Sequence, residues 1–179
     1  MTATLAQTTD APADFATCLQ QHAGIVRKVA ATYCRDPHDR ADLAQEIVAA
    51  LWSAWPRYDR GRTFSTWMYQ VALNVAISHV RGESRRRRRF EPLDEDHHAL
   101  GQQPFDHETD QLLALLHAAI AGLDAMSRAL AMLYLDERSH AEIAEILGIS
   151  ESNVGTRIHR LKARIRQHMN AGPQRPQGA

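Results

Sequence analysis

The stretch Ser139–Gln167, SHAEIAEILGISESNVGTRIHRLKARIRQ, carries the reading of the fold. Its first part, about Ser139–Leu147, is a short helix that buries Ile143, Ala144 and Leu147. Gly148 supplies a tight turn, Ile149 plugs the space between two helices, and Ser150 is placed to cap the second. Along that second helix Val154, Ile158, Leu161 and Ile165 recur at i, i+4, i+7 and i+11, which puts them on one face. The opposite face carries Ser152, Asn153, Thr156, His159, Arg160 and Arg164. One face for a core and one polar, basic face for a partner is the pattern of a helix-turn-helix. Short polar groups near the start of such a helix reach base edges in a major groove, and arginines further along neutralise phosphates. A plain helical hairpin with a solvated outer face is the alternative. Gly155 is compatible with both: it costs up to about 1 kcal/mol inside a helix, and it permits close approach of a neighbour.

Working outward, no residue run alternates with strand periodicity, and the chain of 179 residues is expected to be all-α. Aromatic residues make up 6% and apolar residues 44%, enough for a core but unlike a β-sandwich or barrel. No run reaches the roughly 18–20 apolar residues that a bilayer crossing needs. The start, Met1–Asp10, lacks the pattern of a signal peptide, so a cytoplasmic protein without direct membrane insertion is expected.

Charge is strongly segregated beneath a formal net charge of zero. Residues 56–90 carry a net +7 and residues 91–127 a net −8. Two basic zones with an acidic stretch between them suggest two polyanion-binding surfaces joined by a solvated spacer. The expected organisation is a disordered N-terminus over 1–14, a helical domain over 15–90, an acidic linker over 91–110, a second helical domain over 111–170 and a loose tail over 171–179. Within the first domain, Ile25, Val26, Val29, Ala30 and Tyr33 stripe one helix. Leu43, Ile47, Leu51 and Ala54 stripe another, which ends near Pro56. Ser65 is a candidate N-cap for a third helix running to about Arg81, with the helical pattern collapsing from Gly82.

The basic zone of the first domain interleaves Arg57, Arg60, Arg62 and Arg81 with Tyr58, Phe64, Trp67 and Tyr69, next to Thr63, Ser65 and Gln70. Cations that track phosphates, set among ring faces that stack unpaired bases, suit single-stranded or opened DNA. Trp67 fits a core as well as it fits a stacking surface. Asn74 fits a contact to a splayed base or a satisfied buried amide. The run Arg85–Arg89 is placed to add non-specific phosphate attraction or simply to be solvated. Asp42, Gln45, Glu46 and Ala49 lie off the apolar stripe of their helix with Trp52 nearby, a face suited to docking a basic protein partner or to solvent.

Taken together, Asp42-Leu43-Ala44-Gln45-Glu46, Phe64-Ser65-Thr66-Trp67-Met68-Tyr69, Val71-Ala72-Leu73-Asn74 and Glu142-Ile143-Ala144 … Leu147-Gly148-Ile149-Ser150 … Val154 … Arg157 … Arg160 resemble the extracytoplasmic-function (ECF) sigma factors, group IV of the sigma-70 family. The resemblance runs from about Ala23 to Gln167. It implies two helical domains, sigma domains 2 and 4, that bind bacterial core RNA polymerase and direct it to promoter DNA. Asp42, Leu43, Gln45, Glu46, Ala49 and Trp52 would then grip the β′ coiled coil, with the β flap a further polymerase contact. The segment from Arg57 through Trp67 and on to Asn74 would recognise and melt the −10 element. Ser139 and the helix from Ser150, Arg157 included, would read the −35 element. The acidic linker would thread the polymerase toward the RNA exit path, and an anti-sigma factor is an expected partner. Family members often carry basic residues where this chain has Gln70, Leu73 and Gly155, and an aspartate at Ser78.

No metal or cofactor is expected. The pairs Cys18/His22 and Cys34/His38 have helical spacing, but Pro37 interrupts the second, and no Cys-x-x-Cys or His-Glu-x-x-His is present. Nothing resembles a phosphate-binding glycine loop or a nucleophile elbow, so no enzyme is expected. The main alternative is a stand-alone helix-turn-helix regulator acting without polymerase. A third possibility is a decoy that binds polymerase without opening DNA.

Overall fold

The computed structural model describes residues 10–90, 116 and 118–170. The expected acidic linker, its histidines, the tail and the leucines at 112, 113 and 115 lie outside the described residues, as does the N-terminus through residue 9. Among the described residues every regular element is a helix. Two compact units divide the chain, Met1–Ala76 and Ile77–Ala179, and the division falls inside one long helix.

In the first unit, α1 spans Asp10–Gln21, α2 spans Ala23–Tyr33, and α3 spans Pro37–Ala54. A 3₁₀ turn, Trp55–Arg57, follows, and α4 starts at Phe64. Helix α3 begins where its sequence provides both start signals. The Asp36 side chain accepts from the backbone N–H of His38 at 2.7 Å and of Asp39 at 3.2 Å, and Pro37 occupies the first helical position, where its missing N–H costs nothing. The turn before it is tied by Arg40, whose Nε donates to the Cys34 carbonyl at 2.9 Å. Leu43, Ile47 and Leu51 are fully buried and pack with Val29, Met68, Ala72 and Leu73 in the core of this unit. Truncating any of these leucines to alanine costs about 2–5 kcal/mol by cavity formation.

Three differences from the sequence reading arise here. Helix α1 starts at Asp10, within the stretch expected to be disordered, and Phe15 anchors it: that ring is buried, edge-on to Trp52 and Trp55 at 5.2 and 5.3 Å. Ser65 does not cap α4. The helix already includes Phe64, Thr63 accepts the first bond from Trp67 N–H at 3.2 Å, and Ser65 is a buried residue of the first turn. Helix α4 also continues past Arg81 to Phe90, so the arginine run is helical. Gly82 therefore does not end the helix, since an interior glycine costs only about 1 kcal/mol.

In the second unit, α5 spans Ala125–Leu135, α6 spans His140–Leu147 and α7 spans Glu151–Asn170. Asp124 caps α5, accepting from Met126 and Ser127 N–H at 3.1 and 3.0 Å. Burial raises the affinity of its carboxyl for a proton, but the hydrogen bonds from Ser127 and Met126 outweigh this and hold it below the usual carboxylate range. Helix α6 opens with a full capping box: Ser139 Oγ accepts from Glu142 N–H at 3.2 Å, and the Glu142 carboxylate accepts from Ser139 N–H at 2.9 Å. It closes on Gly148, whose φ of +65° is the left-handed geometry that glycine adopts without strain; Ile149 N–H then reaches the Ala144 carbonyl at 3.1 Å. The core joins Leu130 and Leu133 of α5, Ile143 and Ile146 of α6, and Val154, Ile158 and Leu161 of α7. Ile146 does the packing expected of Ala144 and Leu147, which are only half-buried.

Candidate nucleic-acid interface

The outer face of α7 forms as its sequence dictates. Val154 is fully buried, Ile158 and Leu161 nearly so, and Ile165 half-buried, while Ser152, Asn153, Thr156, Arg157, His159, Arg160 and Arg164 are exposed. Ser150 caps the helix, its Oγ accepting from Asn153 N–H at 3.3 Å and lying 3.2 Å from Ser152 Oγ. Asn153 and Arg157 hold each other: Arg157 Nε donates to Asn153 Oδ1 at 2.8 Å across one helical turn. Thr156 Oγ1 donates to the Ser152 carbonyl at 3.1 Å. The face therefore offers hydroxyl and amide groups at the helix start and guanidinium groups along it. Arg164 is turned toward its own unit, with Nη2 3.5 Å from the Gly122 carbonyl. Ser139 is exposed, but its hydroxyl is committed to Glu142, to which it donates at 2.9 Å.

A second polar surface lies in the first unit, around the loop between the 3₁₀ turn and α4. Tyr58 Oη donates to the Arg62 carbonyl at 2.6 Å, Arg62 N–H donates to the Asp59 carbonyl at 3.0 Å, and Gly61 N–H donates to Asp59 Oδ1 at 2.9 Å. These bonds fold the loop on itself and turn Arg57, Arg60 and Thr63 to solvent, with Arg62 half-exposed. Behind it, Trp55, Tyr58, Phe64 and Trp67 form one cluster of rings. Trp55 and Tyr58 are stacked at 5.2 Å, Tyr58 lies 4.8 Å from Trp67, and Phe64 contacts Tyr58 edge-on at 5.6 Å. His22 of the α1–α2 junction joins at 5.2 Å from Phe64. Burial first, then the neighbouring Cys18 and Asp59, pushes the Tyr58 hydroxyl above its ordinary pKa, in keeping with its role as a donor to the Arg62 carbonyl. In the same unit α4 carries Asn74, which is exposed, and half-buried Gln70; Arg81, also exposed, falls in the second unit.

Three residues expected to face nucleic acid are interior. Trp67 is 7% exposed and Tyr69 1%, so both are packing rings, and Ser65 is buried beside them. All five residues 65–69 are buried, which is more than one full helical turn, so the start of α4 is enclosed on every side, and Asn74 is the first exposed residue of this helix. Trp55 is the member that the sequence reading passed over. Its position after α3 and before Pro56 resembles a helix terminus, and only its stacking on Tyr58 reveals it as part of the surface.

A third surface is the outer face of α3. Asp42, Gln45, Glu46 and Ala49 are exposed, and Trp52 is 52% exposed, which is unusual for an indole. Phe15, Ala44, Gln45, Val48, Ala49 and Trp52 line an apolar groove of about 510 Å³. Leu43, counted with this face in the sequence reading, lies on the opposite stripe with no exposed surface, so it supports the face and cannot touch a partner. No group of three or more metal-binding side chains exists among the described residues, and none of the described helices is long and apolar enough to cross a membrane.

Helices throughout the described residues, an aromatic–basic surface in one unit and a capped helix-turn-helix in the other agree with the sigma-70 class, which the family matches show. Residues 18–86 match sigma-70 region 2, and residues 113–165 match sigma-70 region 4. The chain is 30% identical over 146 residues to the ECF RNA polymerase sigma factor SigW of Bacillus subtilis, covering 74% of this chain and 76% of that one. It is also 30% identical over 156 residues to the ECF RNA polymerase sigma factor SigE of Mycolicibacterium smegmatis, covering 84% of this chain and 60% of that one. Its fold is that of the sigma factor RpoE solved in complex with the anti-sigma factor NepR from Bartonella quintana, with a TM-score of 0.72, 18% identity, and coverage of 89% of this chain and 99% of that one. The chain belongs to the ECF RNA polymerase sigma factors.

Proposed function

We propose that the chain binds bacterial core RNA polymerase in the cytoplasm and directs it to promoters through two DNA contacts, leaving all bond chemistry to the polymerase. The observation that carries this reading is the ordered pair of region 2 and region 4 matches in one chain, 18–86 then 113–165. The α3 face with Asp42, Gln45, Glu46, Ala49 and Trp52 is assigned to the polymerase β′ coiled coil, because an exposed indole beside carboxylates suits a basic helical partner. Arg57, Arg60, Arg62, Thr63, Phe64, Gln70, Asn74 and Arg81 are assigned to the −10 element, with Tyr58 and Trp55 shaping the loop. The rings hold a surface against which an unstacked base can lie while the arginines neutralise the strand. Ser150, Ser152, Asn153, Thr156, Arg157, His159 and Arg160 are assigned to the −35 element, with residues 15–90 taken as sigma domain 2 and 111–170 as sigma domain 4. An anti-sigma factor is included as a partner because the structural neighbour was solved with one.

Run-off transcription with purified core polymerase on a genomic promoter pool tests this. Specific transcripts that require the protein are expected, and they return the recognised sequence. Failure to co-elute with core polymerase, together with protection of an operator by the protein alone, would establish the stand-alone regulator instead.

A further inference from the structure

Gly155 interrupts the polar outer face of α7. Along the helix it stands in one row with Ser152, three residues before it, and His159, four residues after. It is half-exposed, so a side chain there would reach the surface that those neighbours share. The place is not empty. His140, the first residue of α6, lays its imidazole over it: a Cβ at residue 155 would stand 3.9 Å from His140 Cε1 and 4.0 Å from Nδ1. These are ordinary contact distances, so the ring lies beside the space that a side chain at 155 would enter. His140 is itself exposed. The capping box of Ser139 and Glu142 fixes the backbone that carries its ring. The imidazole brings a ring N–H and a ring acceptor, which can meet either kind of group on a base edge.

We propose that His140, a residue of the first helix of the helix-turn-helix, is a specificity-determining contact to one base pair of the −35 element, completing the row Ser152–His159 in place of the side chain that Gly155 lacks. The inference rests on the assignment of α7 to the −35 duplex. Gly155 matters here because it leaves room for the ring. An alanine at 155 fits at the distances above, whereas a glutamine would compete with the imidazole for its position.

The test uses the full chain with core polymerase on a promoter library randomised across the −35 region, with transcripts counted for each sequence. For His140→Ala, discrimination at one base pair is expected to fall roughly 5- to 100-fold, with the remaining positions read as before. Gly155→Gln is expected to alter preference at that same base pair, and Gly155→Ala to leave it unchanged. An unchanged sequence profile for His140→Ala would overturn the proposal, and so would a loss spread evenly over all sequences. Arg160→Ala serves as the control for the underlying reading. If Arg160→Ala and His140→Ala both left promoter use unaffected, the assignment of α7 would fall; if Arg160→Ala alone weakened it, only the role of His140 would. Unfolding curves for each variant keep a folding defect from passing as a contact.

Discussion

Glu137 has φ of +56° and is the one described residue other than glycine with a positive value. It stands at the end of α5, where Glu137 N–H reaches the Tyr134 carbonyl and Arg138 N–H reaches the Leu133 carbonyl, both at 3.1 Å. This is the hydrogen-bond pattern that normally recruits glycine, as Gly148 does at the end of α6. A side chain in this geometry costs about 1–2 kcal/mol, and Glu137 is exposed, so replacing it removes little packing. Glu137→Gly is therefore expected to stabilise the second unit, by about 0.5–1 kcal/mol after glycine's extra unfolded-state entropy is subtracted, measured as a shift of the urea midpoint at constant slope. Two residues on, the capping box that starts at Ser139 yields a pH effect. Hydrogen bonds from Ser139 N–H, Arg138 and Ser139 Oγ hold the Glu142 carboxyl below its ordinary range. A carboxyl depressed in the folded state stabilises the fold above its unfolded pKa, about 4.3, and that contribution is lost as pH falls through the folded value. Wild type should therefore unfold at a higher temperature than Glu142→Gln at pH 7, and the gap should close below about pH 4. A gap of constant size across that range would show that the charge is not what matters.

At the scale of elements, what could be read in advance was what local chemistry specifies. Ser139, Glu142, Gly148 and Ser150 are each start or stop signals that act on their own backbone, and the spacing of Val154, Ile158 and Leu161 is a property of one helix; so α6 and α7 were legible, except that Ile146 rather than Ala144 and Leu147 faces inward. Helix α1 was not, because its reason for existing is Phe15 set against Trp52 and Trp55, rings 37 and 40 positions away in the chain. The same limit explains Trp67 and Tyr69, which lie in a stretch of α4 that the fold encloses on every side, while Leu43 shows one motif divided by helical phase between surface and core. Helix α3 shows the consequence for experiment. Its buried stripe and its outer face are separable, so Gln45→Lys with Glu46→Lys should leave stability within about 0.5 kcal/mol of wild type yet weaken binding to core polymerase roughly tenfold or more by placing cations against a basic partner. Leu43→Ala should do the reverse, destabilising the unit with no direct effect on the docking surface. Unfolding curves paired with a competition assay against another sigma factor would separate the two; unchanged affinity in the double-lysine variant would remove this face from the docking surface.

For the whole molecule the governing quantity is charge. The chain carries 21 basic and 21 acidic side chains, and its cations are concentrated in two stretches rather than spread over a surface. Duplex affinity grows with the number of phosphates neutralised, and an equal load of carboxylates, many in the stretch between the two basic zones, opposes that attraction over a Debye length of about 10 Å. Free protein should therefore hold promoter duplex weakly, with a Kd in the micromolar range or above at roughly 0.15 M salt. Joined to polymerase, the two DNA contacts become intramolecular with respect to each other, and modest individual affinities then multiply through effective concentration. A regulator acting alone would need its own helix to reach nanomolar binding, and such proteins commonly pair two copies to do so. Nuclease footprinting of one promoter across a salt series therefore distinguishes the readings. With the protein alone no protection should appear below micromolar concentration; with core polymerase both promoter elements should be protected together and lost together as salt rises. Nanomolar protection of a single symmetric site by the protein alone, undisturbed by added polymerase, would mean that the neutral charge balance conceals a self-sufficient DNA-binding surface and that the two units do not act as one adaptor.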